Sequence, residues 1–163
     1  MTDVIDTLAG LTAAESTELR GHRPDVVSSA QASYEALLPA TLDADPVTGL
    51  TLDERGLIAL RSAIVEQSES AMAHYSDRTA LVDLATDGPN GPLGLGASRR
   101  LRAILRHTDL LVLRPASSTA GDLVALKAAG LDEAEIVVLS QIVSFVSFQV
   151  RVAHGLRVLK GTR

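Results

Sequence analysis

TAGDLVALKAAGLDEAEI, running from Thr119 to Ile136, is the stretch whose reading decides the fold. Thr119-Ala120-Gly121-Asp122 opens a short helix, because a Thr side chain at the cap and an acid three residues on satisfy otherwise free backbone donors. Gly130 is its natural stop, being the residue that enters the left-handed region without a Cβ clash. Asp132-Glu133-Ala134-Glu135 then caps a longer helix, expected from Ile136 to about Leu159. That helix is apolar nearly all round from Ile136 to Val152, which predicts a central buried element. Its Val and Ile would also suit a strand, but length and cap decide for helix.

Upstream the same signals repeat. Arg99 to Leu113 is amphipathic, with Leu101, Ile104, Leu105, Leu111 and Val112 against Arg99, Arg100, Arg102 and Arg106, and Pro115 ends it. Asp87-Gly88-Pro89-Asn90-Gly91-Pro92, continued to Gly96, is predicted as a loop. A helical segment is expected from Ser70 to Ala85, and another starts at the capping box Thr51-Leu52-Asp53-Glu54 with Leu57, Leu60 and Ile64 at helical spacing. Pro39 to Gly49 is a polar connection. Pro24 with Asp25 opens a helix through Leu38, and Asp3 to Leu11 is a short helix or a docking arm. The expectation is all-α: an orthogonal bundle of six or seven helices, one domain over 1–163, with 1–49 as a helical extension and 50–160 as the core.

Composition agrees. The 163 residues are 46% hydrophobic but only 2% aromatic, so the core is built from Ala, Leu, Val and Ile, which suit close helix packing. A net charge of −5 argues against nucleic acid, whose binding comes mostly from phosphate neutralisation. With no cysteine there is no disulfide, no thiolate metal site and no thiol nucleophile. The first residues are acidic where a signal peptide is basic, and no uninterrupted apolar run reaches the roughly 18 residues that span a bilayer. A cytoplasmic protein, with no membrane partner, is the expectation.

Several segments resemble the alkylhydroperoxidase D-like proteins, the carboxymuconolactone decarboxylase superfamily. Thr119–Ile136 is similar to the family's penultimate helix, glycine stop and capped final helix. Phe145-Val146-Ser147-Phe148-Gln149-Val150-Arg151-Val152-Ala153 stands where the family has an F-x-N-F-x-N-R-x-A run, and Leu50 to Leu57 resembles its L-S-x-R-E-R-E-L helix start. The resemblance covers roughly residues 50–160 and implies self-association. It also implies a proton relay of a Glu, two Cys and a His, in which one thiolate attacks the peroxide and the second closes the disulfide. An ungapped register from Leu57 puts Gly56 at the Glu, Ser68 and Ala71 at the cysteines and Tyr75 at the His; a shift by one gives Gln67, Ser70 and His74. Both thiols are missing either way. A serine hydroxyl is far less acidic than a thiol, near about 8.5, and has no sulfenate–disulfide cycle.

His74, Tyr75 and Glu66 are the remaining polar candidates for an acid/base or ligand-orienting role. Glu66 and His74 lie eight residues apart and share a face only if one helix runs through Ser68. The plain alternative is a helix junction with solvent-facing charges. Ser68 with His74 lacks an orienting carboxylate for nucleophilic catalysis. Gly91–Gly96 follows no strand and contains Pro92, against a phosphate loop. The arginine face of 99–106 suits either solvent or an anionic ligand, and Arg151 either a substrate carboxylate or a helix-end pair. His107 and His154 lack metal-ligand spacing, so no metal and no cofactor is expected. Phe145 and Phe148 share one face and suit a core or an interface. Two functions remain: a binding or assembly subunit, a homo-oligomer or the companion of a cysteine-bearing paralogue; or an acid/base enzyme, decarboxylase or isomerase-like, acting on a small anionic lactone or carboxylate.

Overall fold

Four reciprocal caps set the frame: Thr12 with Glu15, Thr51 with Glu54, Thr119 with Asp122, and Asp132 with Glu135. In each, the side chain at the cap and the acid three residues on satisfy backbone N–H groups that a helix start leaves free. The computed structural model describes residues 3–41 and 49–161, which form ten α-helices, a 3-10 turn at Pro115–Ser117 and no strand. They are α1 (Val4–Ala9), α2 (Ala13–Arg20), α3 (Pro24–Leu37), α4 (Leu52–Val65), α5 (Glu69–Ser76), α6 (Val82–Asp87), α7 (Pro92–Gly96), α8 (Arg99–Leu113), α9 (Ala120–Ala128) and α10 (Glu133–Gly161).

The all-α expectation stands, and the helix count is corrected upward. The segment expected from Ser70 to Ala85 divides into α5 and α6 around Asp77–Leu81. The predicted loop after Asp87 contains α7, started by Pro92 and tied back by the Asp87 carboxylate, which accepts from Gly94 N at 3.0 Å. Residues 13–20 form an additional helix, α2, opened by the Thr12–Glu15 box. Of the predicted connection at 39–49, residues 42–48 lie outside the described residues.

α10 crosses the middle, packing on α4, α1 and α8, while α4 also meets α5, α6 and α8. Leu139, Ile142, Val143 and Val146 of α10 join Leu57, Ile58 and Leu60 of α4 and Ile104 and Leu105 of α8 in one buried cluster. A fully buried side chain of this size contributes about 1.5–3 kcal/mol relative to an exposed one. α1 belongs to the same cluster through Val4, Ile5 and Leu8. By length and composition α10 could cross a membrane (mean hydropathy 1.8 over an 18-residue window), and half of that window is buried among the other helices. The prediction of a missing spanning stretch is corrected to that extent: Ser and Gln interrupt the run without lowering its mean hydropathy enough. Burial is not all-round either, since Val137, Phe148, Val158 and Leu159 are exposed.

One arginine departs from the expected basic face. Arg100 of α8 turns between two helix starts and binds Glu54 Oε1 at 2.6 Å and Glu135 Oε1 at 2.6 Å, with a third bond to the Gly130 carbonyl at 3.0 Å. Both glutamates are buried and each belongs to a capping box. A single guanidinium therefore fastens the N-termini of α4 and α10 to α8, as its forked donors permit and a point charge would not.

Candidate functional site

The corner between α4 and α5 is built from three residues with three different backbones. Glu66 closes α4 in helical geometry, Gln67 takes a left-handed φ of 56°, and Ser68 is extended. A left-handed backbone at a residue with a side chain costs about 1–2 kcal/mol. The turn is held by bonds from Gln67 N to Ile64 O and from Ser68 N to Ala63 O, each 3.0 Å. No continuous helix passes through Ser68, so the condition for Glu66 and His74 to share a helix face is not met. Ser68 caps α5 without a side-chain cap bond, and Ser68, Ala71 and Tyr75 form its inward face. Gln67 is exposed, and Ser70 and His74 are half-buried.

The candidate residues fall into two groups. Glu66, Gln67, Ser68 and Arg151 line one open cavity of about 310 Å³, joined by Val150, His154 and Arg157 of α10. Glu66 Oε1 accepts from Ser147 Oγ at 2.6 Å and lies 3.6 Å from Arg151 Nη2. Arg157 donates to the Leu8 carbonyl at 2.8 Å and to Ser70 Oγ at 3.2 Å, so one wall is fixed by α1. Two guanidiniums and an imidazole beside a hydroxyl and a carboxylate make a lining able to hold a small anion and exchange a proton with it. Neither His74 nor Tyr75 lines this cavity.

Those two belong to a different network. His74 Nε2 is 2.9 Å from the Tyr34 hydroxyl of α3, and its ring meets Tyr75 edge-on at 4.9 Å. Arg78 lies over the Tyr34 ring at 5.7 Å, a cation–π distance. Burial first, and the Arg78 charge second, push the His74 pKa down, favouring the neutral ring. Burial pushes Tyr75 and Tyr34 up. The Tyr75 hydroxyl donates to Gln149 Oε1, and Gln149 Nε2 is buried without a partner among the described residues.

Gly56 is where the relay's carboxylate would stand in the register from Leu57. A Cβ there would run into the Arg78 carbonyl, so α4 approaches the α5–α6 connection too closely for any side chain. Among the described residues, no group of three or more His, Asp and Glu could hold a metal ion. Sequence reading missed Tyr34, Gln149, His154 and Arg157 as neighbours of the candidates. Arg151, His154 and Arg157 do recur at helical spacing, a signal that could have marked that ridge. Tyr34 and Gln149 carry no local signal.

No family model matches this sequence, and no curated protein does. Among solved structures the chain is similar to the crystal structure of an alkylhydroperoxidase AhpD core, an uncharacterized peroxidase-related protein from Ralstonia eutropha JMP134. The TM-score is 0.62 at 19% sequence identity, over 91% of this chain and 85% of that one. What this likeness shows is the fold, and the conclusion is an AhpD-like, all-α architecture in a chain without cysteine and therefore without a peroxidase dithiol.

Proposed function

We propose that this chain works as a binding or assembly subunit that has given up thiol chemistry. The observation that carries the proposal is the apolar groove between α3 and α10. Leu37, Ile136, Val137, Phe145 and Phe148 line it, with a volume of about 750 Å³. Val137 is 54% exposed and Phe148 41%, on a helix otherwise central to the core. Phe145 and Phe148 stack with ring centroids 6.0 Å apart. The occupant is a second copy of this chain, or a cysteine-bearing homologue of the same fold that supplies the missing dithiol. Sedimentation of the purified protein at micromolar concentration tests the first: a closed oligomer is expected, with Val137→Glu/Phe148→Glu monomeric and equally helical. A monomeric wild type that also fails to bind such a homologue refutes the proposal. Thiol-dependent peroxide consumption by the isolated chain is expected to be absent.

The Glu66–Arg157 cavity favours a second reading, acid/base chemistry on a small anionic lactone or carboxylate. In it Arg151 holds the carboxylate and Glu66 moves the proton. His74 and Tyr75, the sequence-level candidates for that step, would act only by supporting α5 from behind. Equal turnover by wild type and Glu66→Gln on such a substrate disposes of this reading.

A further inference from the structure

A second cavity, apart from the α4–α5 corner, opens between α8 and α9 with a volume of about 540 Å³. Cavities of roughly 300–1,000 Å³ are the usual size for small organic ligands. Its rim carries Arg99, Arg102 and Arg106, which lie along one ridge of α8. Among the described residues none of the three joins an ion pair, and Arg102 donates only to the Leu95 carbonyl at 3.3 Å. Three cations thus stand together without an acid partner in a chain of net charge −5. Arg99 and Arg102 sit in the first turn, where the helix dipole disfavours cations, and no acid in that turn offsets them. Neighbouring like charges at this spacing repel one another.

His107 is the independent observation. The residue is 5% exposed, lines the cavity, and makes no side-chain hydrogen bond among the described residues. Its ring nitrogens are not sealed in the core and are open to the cavity, where a ligand can reach them. Asp122, the acid at the edge, accepts from Thr119 N and Thr119 Oγ1 at 2.8 Å each through Oδ2, and its charge also acts on His107. Leu110 and Leu126 make the rest of the wall apolar.

We infer that the α8–α9 cavity is a binding site for a small organic anion, a carboxylate or phosphate head on an apolar body. Arg102 and Arg106 hold the head, His107 hydrogen-bonds it, and Leu110 and Leu126 cover the body. The arrangement separates this ligand class from a bare inorganic ion, which would leave the apolar wall wet.

The test is a titration of the protein with phenyl phosphate, read from the four histidine ring-proton NMR signals. His107→Gln identifies the relevant signal, and if that variant misfolds, its neighbour response to Arg106→Gln does so. A saturable shift of the His107 signal is expected, weakened at least tenfold in Arg102→Gln/Arg106→Gln and unchanged in Arg114→Gln, an exposed arginine at the far end of α8 that does not line the cavity. Inorganic phosphate should bind more weakly than phenyl phosphate. No shift at His107, or a shift lost equally in Arg114→Gln, overturns the inference and leaves a solvated basic face.

Discussion

Replacing Arg100 with methionine keeps the unbranched apolar stem of the side chain but removes the guanidinium, leaving Glu54 and Glu135 without their shared cation. The two carboxylates are 7% and 5% exposed, so their charges have little access to water. Removing one partner of a buried ion pair costs about 3–5 kcal/mol. The Arg100 side chain is itself 26% exposed, which places the expected loss near the lower end, about 3 kcal/mol. With a urea slope of about 2 kcal/mol per molar, the unfolding midpoint should fall by about 1.5 M. Burial opposes the charged form of Glu135, but hydrogen bonds from Arg100 and the Asp132 amide outweigh it and lower its pKa below 4.5. A lowered carboxylate pKa stabilises the fold above the unfolded value and is lost as pH falls through the folded one. The wild-type and Arg100→Met curves should therefore converge in acid. Glu54→Gln and Glu135→Gln, added to Arg100→Met, should recover more than half of the loss, because the amides still accept the capping bonds without a stranded charge. A midpoint change below about 0.3 M, in the range of an exposed pair, would refute the clamp.

Tyr75→Phe should cost about 1–3 kcal/mol by leaving the Gln149 amide wholly unpaired in the core, whereas Tyr75→Phe/Gln149→Leu should be close to wild type in the same urea assay. Additive losses would count against the pair. Gly56→Ala should cost about 1–3 kcal/mol, because the Cβ meets the Arg78 backbone and a helix must move; a neutral substitution would show that the approach is looser. His74 and His107 both have lowered pKa values, caused first by burial. The fold favours the neutral ring of each, and the unfolded chain takes up more protons below about 6.5. Stability should thus be greatest above that pH and decline on acidification toward the folded-state values. His74→Gln should flatten part of the slope; stability that rises from neutral pH to pH about 5.5 would contradict the assignment.

The caps were legible because a capping box is complete within four residues. Thr51–Glu54, Thr119–Asp122 and Asp132–Glu135 open helices where the sequence places them, and Gly130 takes the left-handed φ of 95° that a stop requires. Thr12–Glu15 carries the same signal and opens α2. The absence of a dithiol is a fact of composition alone. Tertiary structure decided everything that joins residues far apart in the chain. Arg100 lies on an arginine-rich helix face like its neighbours, and only the arrival of Glu54 and Glu135 from two other helices makes it a clamp. Likewise the left-handed Gln67 turns α5 away from the line of α4, which puts Glu66 with Arg151 and sends His74 to Tyr34. Hydrogen bonds along a helix are set by neighbours in sequence, whereas the partner of a side chain is set by which helix packs over it. The stretch from Thr119 to Ile136 could therefore announce a helical bundle, but only the packing of α10 against α4 and α8 could say which polar groups meet.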